Sequence, residues 1–345
     1  MYPLVYIHVL LITHLLSIKQ YPKLFVSNRI KELTCLRISI SLCTSTQTEQ
    51  YIMKMQTLTN ITQAIGKADY SGAAMAIDKA LLGEQGEHWR RDLGKLKVFL
   101  LDDNRSPAFT IIRKESGEGK LGKGFLSFSV LPDITCPGAG ACLNYCYSFK
   151  AHRYPAAYSR QAQNTVLMQT EAGRNQIIAA IDELASKRRG NIDFRLYVDG
   201  DFSSGGDVSF WMTLLKQNEW LQTYGYSKSF LELLGYDATH PWPANYLLNL
   251  SEGHKHKQSI VDLVSALPIC RGSFGAVPTL GKYKPTQWQT SEYRKDILAQ
   301  HKALTGRKAY VCGGKCGACV TRQGVNMHAC GDRQFNNVDI IIAIH

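Results

Sequence analysis

Seven cysteines of this chain fall in two short, glycine-bearing stretches, and that grouping limits what the chain can fold into. Cys136, Cys142 and Cys146 lie in TCPGAGACLNYCY. Cys312, Cys316 and Cys319 lie in VCGGKCGACV, with Cys330 eleven residues further on in HACGD. Short loops with small residues let several sulfurs converge on one centre, which is what a soft metal needs. Disulfides are the competing account, but no credible secretory signal precedes cysteines this tightly spaced. The C-terminal set, C-x3-C-x2-C plus a fourth Cys, is enough for a closed four-thiolate site holding structural zinc or an iron–sulfur cluster. The central set, C-x5-C-x3-C, supplies three thiolates and leaves one metal position open for chemistry, unless Cys270 in PICRGS closes it. His328, two residues before Cys330, is an alternative ligand at that position.

The first 52 residues differ from the rest, with no Gly and no Asp, whereas residues 53–345 hold all 28 glycines. The opening MYPLVYIHVLLITHLLSIK has no basic leading region and no small-residue cleavage site after it. It is also short for a membrane span and is interrupted by two histidines. The expectation is an over-extended start, with the functional protein beginning near Met53 or Met55; a hydrophobic N-terminal segment is the alternative. Residues 53–124 then form a helix-and-strand N-terminal part, and residues 125–345 a Cys-rich metal-binding domain. At 345 residues and 45% hydrophobic the chain can bury a proper core. Mean hydropathy of −0.18 excludes a polytopic membrane protein. No stable membrane insertion is expected, and the cytoplasm is the expected location. The formal charge of +12 favours anionic partners, nucleic acid among them. It falls to about +9 once the five basic and two acidic side chains of residues 1–52 are set aside.

Periodicity predicts helices from Thr57 to about Leu101, then short strands at Lys97–Leu101 and Ala108–Arg113, and an apolar strand Phe125–Leu131 leading into the central cysteines. Helices are predicted over Ala156–Thr170, Gln176–Lys187, Val208–Gln217 and Ser259–Ala266, and strands over Phe194–Val198, Leu221–Tyr226 and Tyr246–Leu250. Strands alternating with helices argue for parallel βα units. The fold class expected is α/β: a partial or small βα barrel-like core with a helical N-terminal part and a Cys-rich C-terminal segment.

From roughly residue 95 to 335 the chain resembles the gene product 88 family of phages and plasmids. The matching features are TCPGAGACLNYCY, the helix with Arg160 and Asn164, VDGDF, and the C-terminal cysteines. That family brings no established activity. The chain is also similar, more weakly, to radical S-adenosylmethionine enzymes. There, three Cys after the first barrel strand bind a [4Fe–4S] cluster, and an aromatic residue stands before the last, as Tyr145 does before Cys146. A Gly-Gly-Glu-like turn after the second strand contacts the methionine amino group, and Asp199-Gly200-Asp201 holds the corresponding place. The usual spacing of that family, C-x3-C-x2-C, occurs instead at Cys312, Cys316 and Cys319. This makes the central loop a variant radical site with an auxiliary tail cluster, or the likeness accidental. A cluster carried by the C-terminus, as in the thiamine-pyrimidine synthase branch, is a further arrangement.

Three functions follow. The first is an iron–sulfur enzyme, using S-adenosylmethionine on an unknown macromolecule or nucleotide. In it Cys136, Cys142 and Cys146 hold the reactive cluster, and the C-terminal cysteines hold a second. Asp199, Gly200 and Asp201 bind the cofactor, with Asp201 the candidate catalytic residue. The second is a non-enzymatic, zinc-stabilised nucleic-acid-binding protein, and the third a redox-responsive regulator. Asp199 and Asp201 have a plainer reading too, as a solvated turn that caps the next helix. His254 and His256 read as a polar surface loop, Trp242 as a loop anchor, and Arg153, Arg160, Lys187, Arg188 and Arg189 as a solvated basic face. If the start lies near Met53, mass spectrometry of the natural N-terminus finds no peptide from residues 24–50; one such peptide sinks that expectation.

Overall fold

In the computed structural model the first five parallel strands stand side by side in the order in which the chain makes them, and the last strand of the chain is inserted before its predecessor in the sheet. The structure describes residues 45–344 apart from positions 84–85, 120, 280–281, 288–289, 315, 317–318 and 323–324. Cys35, Cys43 and the opening apolar run lie outside the described residues. The chain divides into two units, residues 1–57 and 58–345. The described part of the first is the beginning of helix α1 (Ser45–Gly66); the second holds the sheet and all eight described cysteines.

Helices α2 (Tyr70–Leu81) and α3 (Glu87–Leu101) follow. Asp69 caps α2, its carboxylate accepting from Gly72 N at 2.8 Å. The strand expected at Lys97–Leu101 is the last turn of α3 instead. Trp89, Leu93, Leu96 and Leu100 recur every three or four residues and are all buried, so the helical period prevails over a short apolar run. The strand expected at Ala108–Arg113 reduces to β1 (Arg113–Lys114), antiparallel to β2 (Leu126–Ser127). Upstream of it, Ala108 N and Phe109 N donate to the Gln163 side chain rather than to a strand.

Helices α4 (Pro155–Gln169) and α5 (Glu171–Lys187) lead into β3 (Ile192–Leu196), and α6 (Gly205–Gln217) into β4 (Leu221–Ser227). Helix α7 (Phe230–Asp237) precedes β5 (Tyr246–Ser251), and α8 (Gln258–Ser265) precedes β6 (Cys270–Pro278). After α9 (Ser291–Thr305) come β7 (Ala309–Val311), the hairpin β8 (Val320–Arg322) and β9 (Val325–Met327), and β10 (Asp339–Ile344). The eight-stranded sheet has the order β1-β2-β3-β4-β5-β6-β10-β7, and all pairs after β1-β2 are parallel. Among the described residues no helix is long and apolar enough to cross a membrane.

Strand alternation sends side chains to two different cores. Phe194, Leu196, Leu221, Tyr246, Leu248 and Leu250 join the large cluster that includes Trp211 of α6. Tyr224, Tyr226, Leu247, Phe274 and Ile340 face the other way, into a smaller cluster containing Cys312, Cys316, Cys319 and Cys330. The C-terminal segment therefore covers the sheet face opposite the one occupied by Trp211. Strand β6 carries an extra residue at Arg271, because pairing steps from Leu248–Cys270 to Asn249–Gly272.

Helix α4 carries an unusual row of buried polar side chains. Asn164 Nδ2 donates to the carbonyls of Ile111 (3.2 Å) and Ser129 (3.0 Å), and Leu131 N donates to Thr165 Oγ1 (2.9 Å). These bonds satisfy backbone groups in segments that are too irregular to pair with strands. Asn164→Leu strands both carbonyls and is expected to cost about 1–3 kcal/mol, read as a lowered urea midpoint with an unchanged m-value.

Candidate functional site

The loop that carries Cys136, Cys142 and Cys146 leaves the first parallel strand and is stitched across the C-terminal ends of its neighbours. Gly140 N and Cys142 N both donate to the Gly253 carbonyl at 3.1 Å, and Lys255 N donates to Gly138 O at 3.1 Å. Gly138 is required for this approach, since a Cβ there would lie 1.6 Å from the Lys228 carbonyl oxygen. The thiols of Cys136, Cys142 and Cys146 thus sit where β4 and β5 deliver their loops, the edge at which parallel βα sheets place functional groups. Burial, reinforced by the nearby Asp201 charge, pushes the Cys136 thiol up to about 12. Leu143, Tyr145 and Tyr147 leave exposed apolar surface around the loop.

Asp199-Gly200-Asp201 forms the turn directly after β3. Gly200 has φ +78, and a Cβ would fall 2.3 Å from Val130 and 2.7 Å from the Thr135 hydroxyl, so the turn is pressed against the base of the cysteine loop. Asp201, 4% exposed, accepts from Ser227 Oγ (2.7 Å), Lys228 N (2.6 Å) and Phe202 N (2.8 Å). Asp199 accepts from Gln161 Nε2 at 3.0 Å, and Ser148 and Ser129 also bond its carboxylate. Desolvation raises the pKa of both carboxyls despite these donors. Neither aspartate caps the next helix, contrary to the plainer reading; Ser204 does that, accepting from Asp207 N. A cavity of about 230 Å³ lies beneath the turn, lined by Thr135, Thr165, Asp201, Ser203 and Asp207 among others.

Cys312, Cys316, Cys319 and Cys330 meet in one apolar cluster on the second sheet face, within electrostatic reach of one another. Gly314 N donates to Cys312 Sγ and Ala329 N to Cys319 Sγ, each at 3.4 Å. Burial pushes the Cys330 thiol up to about 12, and Tyr226 hydrogen-bonds it. All eight described cysteines carry free thiols. Among the described residues no group of three or more His, Cys, Asp or Glu side chains is drawn together closely enough to hold a metal ion. The chemistry of the donors nevertheless fits soft-metal ligation: four thiols in one cluster, two of them already accepting backbone N–H groups.

Several other expectations change. Cys270 does not close the central site. It opens β6 with its side chain against the large core, whereas the central loop lies beyond the opposite ends of the strands. His328 pairs through Nε2 with Asp193 Oδ1 at 2.9 Å and packs against Phe125 and Tyr224. His254 and His256 are not a free surface loop: both pack on Phe230, and His256 Nε2 bonds Lys228 O at 2.8 Å. The basic face is partly engaged, with Lys187 on Glu183 and Arg188 over the Trp220 ring. Arg160 is largely withdrawn from water, and its Nε is buried without a hydrogen bond. Trp242 does anchor its loop, through Nε1 to Asp237 at 2.7 Å. The residues that connect the two cysteine groups were not singled out in the sequence. Tyr147, next to Cys146, accepts from Arg195 Nη2 at 3.3 Å, and Arg195 lies over Tyr226, which reaches Cys330. Arg195 sits at an alternating strand position among apolar residues, the one local signal available.

A family model described as Gene product 88 matches residues 104–337, a span that includes both cysteine groups and the aspartate turn. The chain belongs to the Gene product 88 family. No curated protein and no solved structure matches it. The phage and plasmid kinship carried by TCPGAGACLNYCY and VDGDF is thereby established, while the likeness to radical S-adenosylmethionine enzymes has no counterpart among these matches.

His152 closes the cysteine loop, 7% exposed between Phe149 and Tyr158, and burial lowers its pKa from 6.5 to about 4. Between those values the unfolded chain binds a proton that the folded chain refuses. Stability therefore falls as pH falls through this window, by on the order of 1–3 kcal/mol. His152→Leu is expected to flatten that part of the pH dependence, measured as urea midpoints between about pH 7 and pH 4.5.

Proposed function

We propose that this protein is a cytoplasmic iron–sulfur protein whose central loop, Cys136, Cys142 and Cys146, holds a cluster with one iron free for a ligand, S-adenosylmethionine in the reading we favour. The observation that carries this is positional. The three-cysteine loop follows the first parallel strand, the Asp199-Gly200-Asp201 turn follows the next, and the two touch through Gly200, Thr135 and Val130. A three-thiolate cluster with an open iron supplies an electron and a coordination position for the cofactor. The protein's own residues bring the rest. Gly138 and Gly140 let the loop lie on the ends of β4 and β5. Asp199, Gly200 and Asp201 form the floor against which a cofactor is oriented, and Asp201 beside Cys136 is the candidate for a catalytic part. Cys312, Cys316, Cys319 and Cys330 provide a second, closed centre.

Barrel-like curvature of the sheet belongs to the same proposal. Strands β2 to β6 advance in one direction without reversal. Right-handed crossovers of constant direction put their helices on one side, leaving a concave face to be filled from elsewhere. The C-terminal cysteine segment occupies the face that such a barrel would enclose.

Anaerobic purification of the full chain followed by iron, sulfide and zinc analysis tests this reading. Iron and sulfide in matched amounts are expected; stoichiometric zinc without sulfide would overturn it in favour of the zinc-stabilised alternative. Reductive cleavage of S-adenosylmethionine is expected to vanish in Cys146→Ala and persist in Cys330→Ala. Equal loss in both refutes the division of roles between the two groups.

A further inference from the structure

Two arginines are buried on the sheet face that carries the C-terminal cysteines, Arg195 at 4% exposure and Arg271 at 0%. Taking a guanidinium out of water costs several kcal/mol, and buried charges are ordinarily matched by an opposite one. Among the described residues neither arginine forms an ion pair with a carboxylate. Arg195 has the 3.3 Å bond to Tyr147 and the Tyr226 ring at 4.7 Å, and its buried Nε has no hydrogen-bond partner. Asp199 is within its electrostatic reach but is held by Gln161, Ser148 and Ser129. Arg271, aimed by the bulge in β6, donates to Asn249 Oδ1 (2.6 Å) and to the carbonyls of Phe335 (2.9 Å), Val338 (2.8 Å) and Ser273 (3.3 Å). Asp339, an acid whose charge reaches it, is already paired with His301 and Arg307.

What the two cations have in common is the cysteine cluster. Arg195 lies over the ring of Tyr226, whose hydroxyl bonds Cys330, and Arg271 donates to Asn249, whose amide donates to the Cys330 carbonyl at 2.9 Å. Two tyrosines fill the space between: Tyr224 beside Cys316, and Tyr226 under Arg195 with its hydroxyl on Cys330. Neutral thiols cannot balance a buried cation. Four thiolates around a divalent metal, or around a doubly charged [4Fe–4S] core, retain two negative charges. The charge of two buried arginines is then matched.

We propose that Arg195 and Arg271 are the built-in counter-charges of a dianionic four-thiolate metal centre made by Cys312, Cys316, Cys319 and Cys330. This rests on the metal reading above and adds the closed, dianionic character of the second centre and the residues that neutralise it. Each partner is costly in the low-dielectric sheet face without the other, so arginines and centre stabilise the fold only together. The N–H groups of Gly314 and Ala329, already aimed at two sulfurs, act in the same sense.

Arg195 is the cleaner test, since its own hydrogen bonding within the protein is slight. Chelator competition on the full-length holoprotein should show Arg195→Met weakening metal retention by roughly 10–100-fold, with Arg195→Lys recovering most of it. Urea unfolding supplies a readout that ordinary packing would not move. Arg195→Met is expected to lower the midpoint of the intact protein, yet leave it unchanged or raise it in a Cys312→Ala/Cys330→Ala background. Equal lowering in both backgrounds makes Arg195 a packing residue and overturns the proposal. If Cys312→Ala/Cys330→Ala loses metal while Arg195→Met keeps full affinity, the counter-charge role fails and the metal reading stands. If the double cysteine variant keeps all the metal of the parent, this group holds none, and both fall for the C-terminal centre.

Discussion

The arrangement of the molecule depends on covering the second face of its sheet. A parallel sheet buries both faces, and helices on one side leave the other needing a cover. Here the cover includes Cys312, Cys316, Cys319, Ala329, Cys330 and Phe335, which cluster with Tyr224, Tyr226 and Phe274. It is held by contacts that are polar as much as apolar. Asn249 Nδ2 donates to the Cys330 carbonyl at 2.9 Å, and Arg271 holds the carbonyls of Phe335 and Val338. Described parts of this cover that lie outside its hairpin obtain backbone partners from strand side chains.

The same logic operates at the edge of the sheet. The central cysteine loop contains little regular structure, yet its backbone is tied to Gly253, Lys255 and, through Gly138, to the close approach of Lys228. Asp201 binds the loop after β4 to the turn after β3, and Gly200 presses that turn onto Thr135 and Val130. The aspartates that looked available for a ligand thus also fasten three loops together. Arg195 joins this edge to the covered face, because its guanidinium meets Tyr147 on one side and Tyr226 on the other.

Much of the helix and strand layout was legible in the sequence wherever a strong local period existed. The helices starting at Pro155 and Gln258, and the strands at Leu221 and Tyr246, lie within a residue or so of their expected starts. The failures have identifiable causes. Lys97–Leu101 is apolar enough for a strand, but belongs to a longer helical period set by Trp89 and Leu93. Strand β6 gave no clean alternation to read, since its bulge at Arg271 and its glycines break the pattern. Strand β7 has only three residues, too few to show a period, and the continuous apolar run of β10 has no alternation to read.

The sequence by itself determined that the cysteines form two groups, that their loops are rich in glycine, and that the chain is of the Gene product 88 type. The first two are properties of composition and spacing along a few residues, and the third is a resemblance carried by separated motifs that a family model matches over residues 104–337. Only the tertiary structure decided on which side of the sheet each group lies, that Cys270 faces away from both, and that Arg195 and Arg271 are buried beside the C-terminal thiols. The reason is physical: the side of a strand is a matter of parity, but which segment covers that side depends on contacts between residues some ninety or more positions apart. His328 meeting Asp193, and Cys316 approaching Tyr224 and Arg195, are consequences of that long-range packing.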